Sequence, residues 1–375
     1  MMLEQDKSTC IQAVRHAYPG CLVQEFKEQG QCSYTLLVST QEQSSQTREA
    51  DHNGVSDNDQ LCQIRSHETR IVQIRPAQYA LDVNIAQAAK KLYPTLAPAV
   101  RILDLSLPGN MHAYEMEKLP GLALSRVLAQ MDMLDTELQA KQQTLIKSFA
   151  AFIAQGYHSR AEIPSRCRDT RADSPMDNES RSLSLCTGEV GSSIVSRLEK
   201  LAMELPDEWL RRKAKNILAF MTRLHDYPVV LNHGDLISSN ILVDEYTWEI
   251  TGVVDWAEAE YLPFGTCLYG LELLLGYITA KVPPGMTQDD SKDGVDGGDF
   301  TYYEHANSLR KIFLAQLLDA IPQLVGRQEE VHVMRNMGVL LWYGFAWDGG
   351  AIDRVVNERD DPEEVAYLRA FMSEE

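Results

Sequence analysis

The sequence lacks a hydrophobic run long enough to cross a membrane. Its longest apolar stretch, residues 268–280, includes Glu272 and is shorter than the roughly 20 apolar residues that a membrane-spanning helix needs. The first ten residues, MMLEQDKSTC, contain neither a basic region nor an apolar core, so no secretory signal is expected. We therefore expect a cytoplasmic protein with no membrane partner.

The sequence also lacks paired cysteines. Its seven cysteines are odd in number, and none shows the C-x-x-C spacing of a zinc or redox site. We expect reduced thiols, which is typical of cytosolic proteins, and neither a disulfide framework nor a zinc site.

Basic residues are too few to form a nucleic-acid-binding surface. The 35 Lys and Arg residues face 54 Asp and Glu residues, which gives a formal net charge of −19. Without a basic stripe to neutralise phosphates, a nucleic-acid partner is excluded. The acidity is compatible with a cationic substrate drawn into an acidic cleft, and the alternative is that it serves solubility alone.

The most informative stretch present is HGDLISSN, residues 233–240, which is followed by an apolar strand, a polar turn and a second strand that ends in VVDW. This pattern predicts a β-hairpin, which would bring Asn240 and Asp255 to the same small volume. Phosphoryl transfer needs one carboxylate near the acceptor hydroxyl, here Asp235, and an amide and a second carboxylate to hold magnesium. Any one of these residues alone is more typical of a turn or a cap. The complete pattern favours a catalytic site.

The sequence HGDLISSNILVD…ITGVVDWAEAEYLPFG resembles the aminoglycoside phosphotransferase (APH) and choline kinase-like superfamily of small-molecule kinases. It is most similar to the fungal APH-domain proteins. The resemblance is strong over residues 231–276 and weak in the first third of the chain. It implies that Asp235 orients or deprotonates the acceptor hydroxyl. It also implies that Asn240 and Asp255 are the magnesium ligands and that His233 braces the loop.

The resemblance further implies an α+β, protein kinase-like fold of two lobes. A small β-rich nucleotide-binding lobe would span residues 1–120, and a larger, mainly helical catalytic lobe would span residues 121–375. A chain of 375 residues suits two lobes. Residues 41–68 are predicted to be a disordered insertion, and residues 160–190 and 283–299 to be flexible loops, because these polar segments bury too little apolar surface to order themselves.

The first lobe would supply the phosphate contacts. Residues 27–33 are a predicted hairpin tip with one glycine, for which a plain turn is the simpler interpretation. The resemblance makes it the nucleotide-covering loop, with Ser33 as the phosphate contact. Arg75 stands where the superfamily has a Lys, and the next helix offers Asp82 or Asn84 where a Glu is expected. Arg binds phosphate through two parallel hydrogen bonds, and the alternative for Arg75 is a solvated charge at a strand end.

The segment YEMEKLPG, residues 114–121, resembles the hinge between the lobes of the superfamily. The adenine of ATP would bond the backbone there, at the carbonyl of Glu117 and the amide of Leu119. Because these contacts are to the backbone, the side chains at the hinge are free to vary.

Other polar and aromatic residues are weaker candidates for contact with a substrate. Glu258 and Glu260 follow Asp255 closely, and either could contact a substrate amine or cap a helix. Residues near the C-terminus could wall the acceptor pocket or belong to the core: Trp342, Trp347, Asp348 and Asp353.

The sequence thus predicts an ATP- and Mg²⁺-dependent O-phosphotransferase. Its substrate would be a hydroxylated small molecule, such as an aminoglycoside-like compound, an amino alcohol or a natural product. The alternative is a nucleotide-binding pseudokinase or scaffold, which Arg75 and the glycine-poor loop favour and which the intact Asp235, Asn240 and Asp255 oppose. A protein kinase is disfavoured because no D-F-G or A-P-E motif accompanies Asp255.

Overall fold

The computed structural model describes residues 4–27, 29–30, 32–40, 69–128, 137–158, 182–224, 226–280, 298–348 and 351–373. The chain divides into two compact units, Met1–Leu119 and Pro120–Glu375. The predicted insertion at residues 41–68 lies outside the described residues, as do most of the two predicted loops. The five cysteines in the described part of the chain are free thiols. No helix among the described residues is long and apolar enough to cross a membrane.

Unit 1 is built around a five-stranded antiparallel sheet with the strand order β1-β2-β3-β5-β4. Its first helix begins at Glu4, and Glu4 and Asp6 place negative charge in its first turn, where the helix dipole favours it. The elements are α1 (Glu4–Ala17), β1 (Cys21–Glu25), β2 (Tyr34–Thr40), β3 (Thr69–Pro76), α2 (Val83–Leu92), β4 (Val100–Leu103) and β5 (Met111–Glu117).

One face of this sheet forms the core of unit 1 together with α1. Cys10 and Val14 lie four residues apart on α1, so that both face the sheet. They pack with alternating residues of the central strands, because side chains two apart on a strand share a face: Leu36, Val38, Val72 and Ile74. The helical spacing of Cys10 and Val14 and the two-residue spacing of the strand side chains therefore place apolar groups on facing surfaces, and these hold α1 against the sheet.

Unit 2 is mainly helical, with three small antiparallel sheets among the described residues: β6-β8-β9, β7-β10 and β11-β12. A β-rich first unit and a largely helical second unit confirm the predicted α+β class. The elements are β6 (Leu122–Ala123), α3 (Leu124–Leu128), α4 (Leu138–His158), α5 (Gly188–Gly191), α6 (Ile194–Glu204), α7 (Glu208–Met221), β7 (Val229–Asn232), β8 (Ile241–Val243), β9 (Ile250–Val253), β10 (Glu260–Pro263), α8 (Tyr269–Leu274), β11 (Gly276–Ala280), β12 (Gly298–Tyr302), α9 (Ala306–Ala320), α10 (Gln328–Tyr343) and α11 (Pro362–Ser373).

Parts of the predicted loops and helices have a different structure. The described end of the 160–190 segment contains a 3-10 helix, Leu183–Leu185, and α5. Residues 298 and 299 belong to β12 and pair with β11. Residues 122 and 123 form β6, which pairs with β8. The polar composition of these segments gave no sign of such long-range pairing.

The predicted hairpin at residues 241–254 is confirmed. Strands β8 and β9 pair with Ile241 opposite Val253. Strand β7 pairs with β10, with Asn232 opposite Glu260. Helix α4 supports this region from the core, because its Phe152 ring contacts Trp256 edge-on at 6.3 Å between ring centroids. The two small sheets therefore hold the ends of the segment in which the catalytic pattern lies.

A buried ionic cluster links the last helices of unit 2. Glu272 on α8 is 2% exposed and lies 2.6 Å from Arg335 on α10 and 2.6 Å from Arg310 on α9. Tyr302 of β12 donates a hydrogen bond to the same carboxylate at 2.8 Å, and Arg335 donates to the Phe371 carbonyl of α11 at 2.7 Å. Although burial acts to raise the pKa of Glu272, the two guanidinium groups hold it below the ordinary value. The charged carboxylate therefore links α8 to α9, α10 and β12 directly, and to α11 through Arg335.

We predict that Glu272→Gln destabilises unit 2 by about 3–5 kcal/mol, because it leaves the buried charge of Arg335 without its counter-ion. The midpoint of urea unfolding measures the effect. Glu208→Gln is the matched control: its partner Arg212 lies 3.5 Å away at the surface, with both side chains mostly exposed, and surface pairs contribute little. Equal midpoints for the two variants would contradict the prediction.

Candidate active site

The segment 233–240 begins where β7 ends, and Asn232 anchors that point. The side-chain amide of Asn232 donates to the carbonyls of Val230 and Leu262 at 3.0 and 3.1 Å. Its oxygen accepts a hydrogen bond from the Cys267 amide at 3.0 Å. Because Asn232 is buried and ties β7 to β10 and to the segment beyond it, the start of the loop has a fixed position.

Gly234 allows the loop to turn. Its φ is +81°, and a Cβ atom added there would lie 2.0 Å from the carbonyl oxygen of Glu258. Only glycine combines this left-handed conformation with so close an approach of two backbones. The G of the HGD motif is therefore a geometric requirement of the loop.

His233 braces the loop as a neutral ring. Its Nε2 lies 2.9 Å from the carbonyl oxygen of Val254, and its Nδ1 accepts the amide N–H of Asp235 at 3.3 Å. The first contact needs a donor and the second an acceptor, which defines a single neutral tautomer. Burial lowers the pKa of His233 to about 4, so the ring stays neutral at physiological pH. The bracing role implied by the resemblance thus has a definite geometry.

Asp235 and Asn240 are joined directly. The Nδ2 group of Asn240 donates to Asp235 Oδ2 at 2.8 Å and to the Asp235 carbonyl at 2.9 Å. The backbone carbonyl of Asn240 accepts the amide of Val254 at 2.9 Å. Both amide hydrogens of the Asn240 side chain are therefore used, and no described residue donates to its Oδ1.

Asp255 follows β9 and comes close to Asp235. Its φ is +61°, a left-handed conformation that is uncommon for residues other than glycine and that collects at functional sites. Burial and the negative charge of Asp255 raise the pKa of Asp235 to about 6, whereas the hydrogen bond from Asn240 acts to lower it. The two carboxylates are therefore near enough to repel each other in a partly buried volume.

This donor set fits a hard divalent cation. The Oδ1 of Asn240 and the carboxylate of Asp255 are oxygen ligands of the kind that Mg²⁺ prefers, and a cation would relieve the repulsion between the carboxylates. The described residues contain no group of three or more His, Cys, Asp or Glu side chains placed to hold a metal ion. Two protein ligands nevertheless suffice for magnesium, which usually completes its shell with water and substrate phosphates.

The other predicted site residues belong to unit 1. Ser33 lies just before β2, with its hydroxyl 3.5 Å from that of Thr35. Residues 28 and 31 of the predicted nucleotide loop lie outside the described residues. Arg75 on β3 is 4% exposed and donates from Nε to Gln73 at 3.0 Å. It is therefore not a solvated charge at a strand end. Asp82 instead caps α2 by accepting the amides of Asn84 and Ile85.

The two hinge residues lie at the end of unit 1. The amide of Glu117 donates to the Ala99 carbonyl at 2.9 Å, and its carboxylate pairs with Lys90 at 2.7 Å. Leu119 is buried, and no described residue accepts a hydrogen bond from its amide.

The weaker candidates divide into separate roles. Glu260 accepts the backbone amides of Glu189, Val190 and Gly191 at 2.6, 3.1 and 2.8 Å, so it caps α5, which is one of its two predicted roles. Asp348 pairs with Arg354 at 2.7 Å, and the Asp353 carbonyl accepts a hydrogen bond from Lys200. Trp347 is half exposed.

Tyr269 is a neighbour of Asp235 that sequence reasoning missed. Its hydroxyl accepts the amide of Leu236 at 2.9 Å, and its ring stacks on Trp342 at 4.9 Å with 9° between the planes. The residue stands in an apolar run that resembles core sequence. Nothing in the local pattern singles it out.

Comparison with known proteins gives one family and several solved structures. The sequence profile of the phosphotransferase enzyme family, APH, matches residues 52–266, which is more than half of the chain. No curated protein sequence matches the chain.

Three phosphotransferases are among the solved structures that match this chain. The aminoglycoside-3'-phosphotransferase of type VIII is 14% identical with a TM-score of 0.43, over 89% of this chain and 98% of that chain. Aminoglycoside phosphotransferase APH(3'')-Id from Streptomyces rimosus, in complex with ADP and streptomycin, is 13% identical with a TM-score of 0.43, over 90% and 99%. Macrolide 2'-phosphotransferase MphH from Brachybacterium faecium is 16% identical with a TM-score of 0.46, over 89% and 92%.

Because the negative charge of Asp235 is unfavourable in the folded protein, we predict that Asp235→Asn stabilises the protein at neutral pH. Because the folded-state pKa of about 6 lies above the ordinary 3.8, proton binding by Asp235 favours folding at low pH. That contribution is lost as the pH rises through 6. The Asn side chain still accepts from Asn240 but carries no charge. We expect a gain of about 1–3 kcal/mol above pH 6.5 that shrinks toward pH 4.5.

Urea unfolding in EDTA across this pH range tests the effect. Asp319→Asn, which removes an exposed carboxylate on α9, is the control and should give a difference that does not vary with pH. A pH-independent difference for Asp235→Asn would show that its carboxylate is not destabilised in the folded protein.

Proposed function

The chain belongs to the phosphotransferase enzyme family, as its resemblance predicted, and from its site we propose that it is an ATP- and Mg²⁺-dependent O-phosphotransferase acting on a hydroxylated small molecule. The observation that carries the proposal is the joined group of Asp235, Asn240 and Asp255. The grouping with fungal members stays a prediction. Relatives solved with an aminoglycoside suggest acceptors rich in hydroxyl groups, including cationic ones.

Asp235 is assigned to the acceptor. Its Oδ2 is held by Asn240 at 2.8 Å, which leaves Oδ1 to accept a hydrogen bond from the acceptor hydroxyl. That bond aligns the hydroxyl oxygen and takes up its proton as the new bond to phosphorus forms. Without a metal ion, burial and the charge of Asp255 raise the pKa of Asp235 to about 6, so the carboxylate is still ionised at pH 7 and can accept the proton.

Asn240 and Asp255 are assigned to the metal. Their oxygen atoms would hold Mg²⁺, which when bound to ATP draws charge from the phosphate oxygens. The hydrogen bond from Val254 to the Asn240 carbonyl keeps the two ligands at a fixed separation. Little covalent chemistry is required of the protein, since positioning and charge neutralisation supply most of the rate.

Unit 1 is assigned to the nucleotide. The buried guanidinium of Arg75 and the hydroxyl of Ser33 are assigned to the phosphates, and the backbone of Glu117 and Leu119 to the adenine. Two observations support these assignments: Arg75 is buried on a central strand, and the Leu119 amide has no partner among the described residues.

One observation favours a nucleotide-binding pseudokinase as the alternative. By the resemblance Arg75 stands where the superfamily has a Lys, and Asp82, one of the two residues offered in place of its Glu partner, instead caps α2, so the ion pair that orders the phosphate clamp of kinases would be altered. Magnesium-dependent ADP release, measured with and without a panel of aminoglycosides, macrolides and amino alcohols, separates the two functions. Binding of ATP without turnover in any mixture would establish the pseudokinase.

We predict that Asp235→Asn lowers kcat by about 10³-fold or more, because the acceptor hydroxyl loses its base and its aligning partner. Affinity for MgATP, measured by calorimetry, should change less than threefold, since Asp235 is not assigned to the nucleotide. Thr247→Ala alters a surface turn of the same unit and should leave both quantities unchanged. A variant with normal kcat would remove Asp235 from the reaction.

We predict that Asp255→Asn raises the Mg²⁺ concentration for half-maximal activity by about tenfold or more, because one charged ligand is lost. The Asn side chain tolerates the left-handed backbone, so the fold is preserved. Asp244→Asn removes the same charge from the turn of the same hairpin, where Asp244 accepts the amides of Tyr246 and Thr247. Identical magnesium titrations for the two variants would exclude Asp255 as a ligand.

A further inference from the structure

The peptide that follows Asp235 is held by a side chain from another element. The amide of Leu236 donates to the hydroxyl of Tyr269 at 2.9 Å. Leu236 is fully buried and Tyr269 is 3% exposed, so water does not replace this contact easily. A buried amide without a partner is unfavourable, and the peptide orientation that keeps the bond is therefore preferred.

The backbone of α8 holds Leu236 on a second side. A Cβ atom added to Gly270 would lie 2.7 Å from the Leu236 carbonyl oxygen. Tyr269 and Gly270, adjacent in the chain, thus approach the amide and the carbonyl of the same residue. A movement of Leu236 away from Tyr269 breaks the hydrogen bond, and a movement of its carbonyl oxygen toward Gly270 produces a steric clash.

The Tyr269 ring is itself fixed by α10. It stacks on Trp342 with 4.9 Å between the centroids and 9° between the planes. A stacked, fully buried ring has one orientation, so the hydroxyl is presented to the loop at a constant place. Three elements of unit 2 (α8, α10 and the loop after β7) are joined through this one side chain.

We propose that Tyr269 is a positioning residue for phosphoryl transfer, which fixes the orientation of Asp235 through the Leu236 amide. The inference rests on the proposed function of Asp235. Tyr269 has no assigned contact with nucleotide, metal or acceptor, and its effect passes through the backbone that joins Asp235 to Leu236. Misplacement of a catalytic group by about 1 Å costs up to a hundredfold in rate.

A purely structural role is the competing explanation, in which the hydroxyl only satisfies a buried amide. The two roles differ in their dependence on Asp235. A positioning residue has no effect once the group that it positions is gone, whereas a structural residue lowers activity in any background by lowering the folded fraction.

The test is a double-mutant cycle of Tyr269→Phe and Asp235→Asn. Tyr269→Phe keeps the ring and its stacking and removes only the hydroxyl. We expect it to lower kcat about tenfold, with KM and calorimetric affinity for MgATP within twofold of wild type. In the Asp235→Asn background, the same change should leave the residual rate unaltered. Rates are measured as ADP release from MgATP, both with water as the acceptor and with any acceptor that the panel identifies.

Tyr227→Phe is the matched control. The Tyr227 hydroxyl donates to the Phe264 carbonyl at 2.9 Å, and the residue is buried in the same unit, so it loses a comparable hydrogen bond. Its kcat should equal that of wild type, and thermal melts of both Phe variants should show a single folded population at the assay temperature.

Three results would overturn the proposal. The first is an unchanged kcat for Tyr269→Phe, and the second is an equal loss in Tyr227→Phe. The third is a further loss of the same size in the Asp235→Asn background. An absence of ATP turnover in the wild-type protein under all conditions is a failure of the proposed function itself. That failure is recognised separately, because it precedes any comparison of variants.

Discussion

The candidate site depends on two hydrogen bonds made by the backbone of Val254. Its carbonyl accepts a hydrogen bond from the His233 ring at 2.9 Å, and its amide donates to the Asn240 carbonyl at 2.9 Å. These two bonds join both ends of the loop to the residue that precedes Asp255. The same ring accepts the Asp235 amide at Nδ1, and this third bond requires a neutral His233, since a protonated ring has no acceptor. Burial lowers the pKa of His233 to about 4 and thereby preserves the arrangement.

This arrangement concentrates unfavourable features in one place. Asp255 has a left-handed backbone, and its charge contributes to the raised pKa of Asp235. Neither feature stabilises the fold, and both are tolerated because the surrounding hairpin and the buried Asn232 hold the backbone. The same two features favour a divalent cation and a basic carboxylate. The features that destabilise the folded protein locally are therefore the same ones on which the proposed chemistry depends.

The sequence predicted the centre of the site better than its support. Asn240 and Asp255 flank a hairpin whose strand alternation and turn are local signals, so their proximity follows from a short segment. The α+β class follows from the resemblance. Tyr269 lies 33 residues from the amide that it accepts, and Glu260 caps a helix about 70 residues away. Such contacts depend on how elements pack, and neither residue differs locally from an ordinary core or surface residue.

The net charge of −19 is a weaker guide to the acceptor than the sequence suggests. Acidic side chains that follow Asp255 have internal partners: Glu260 binds three amides, Glu272 binds two guanidinium groups, and Asp348 and Asp361 share Arg354. Charges paired in this way contribute little field at a distance. Within the site, burial and the charge of Asp255 raise the pKa of Asp235. A cation bound beside the two carboxylates would relieve their repulsion, so the local charge of the site, rather than the net charge of the chain, bears on what it binds.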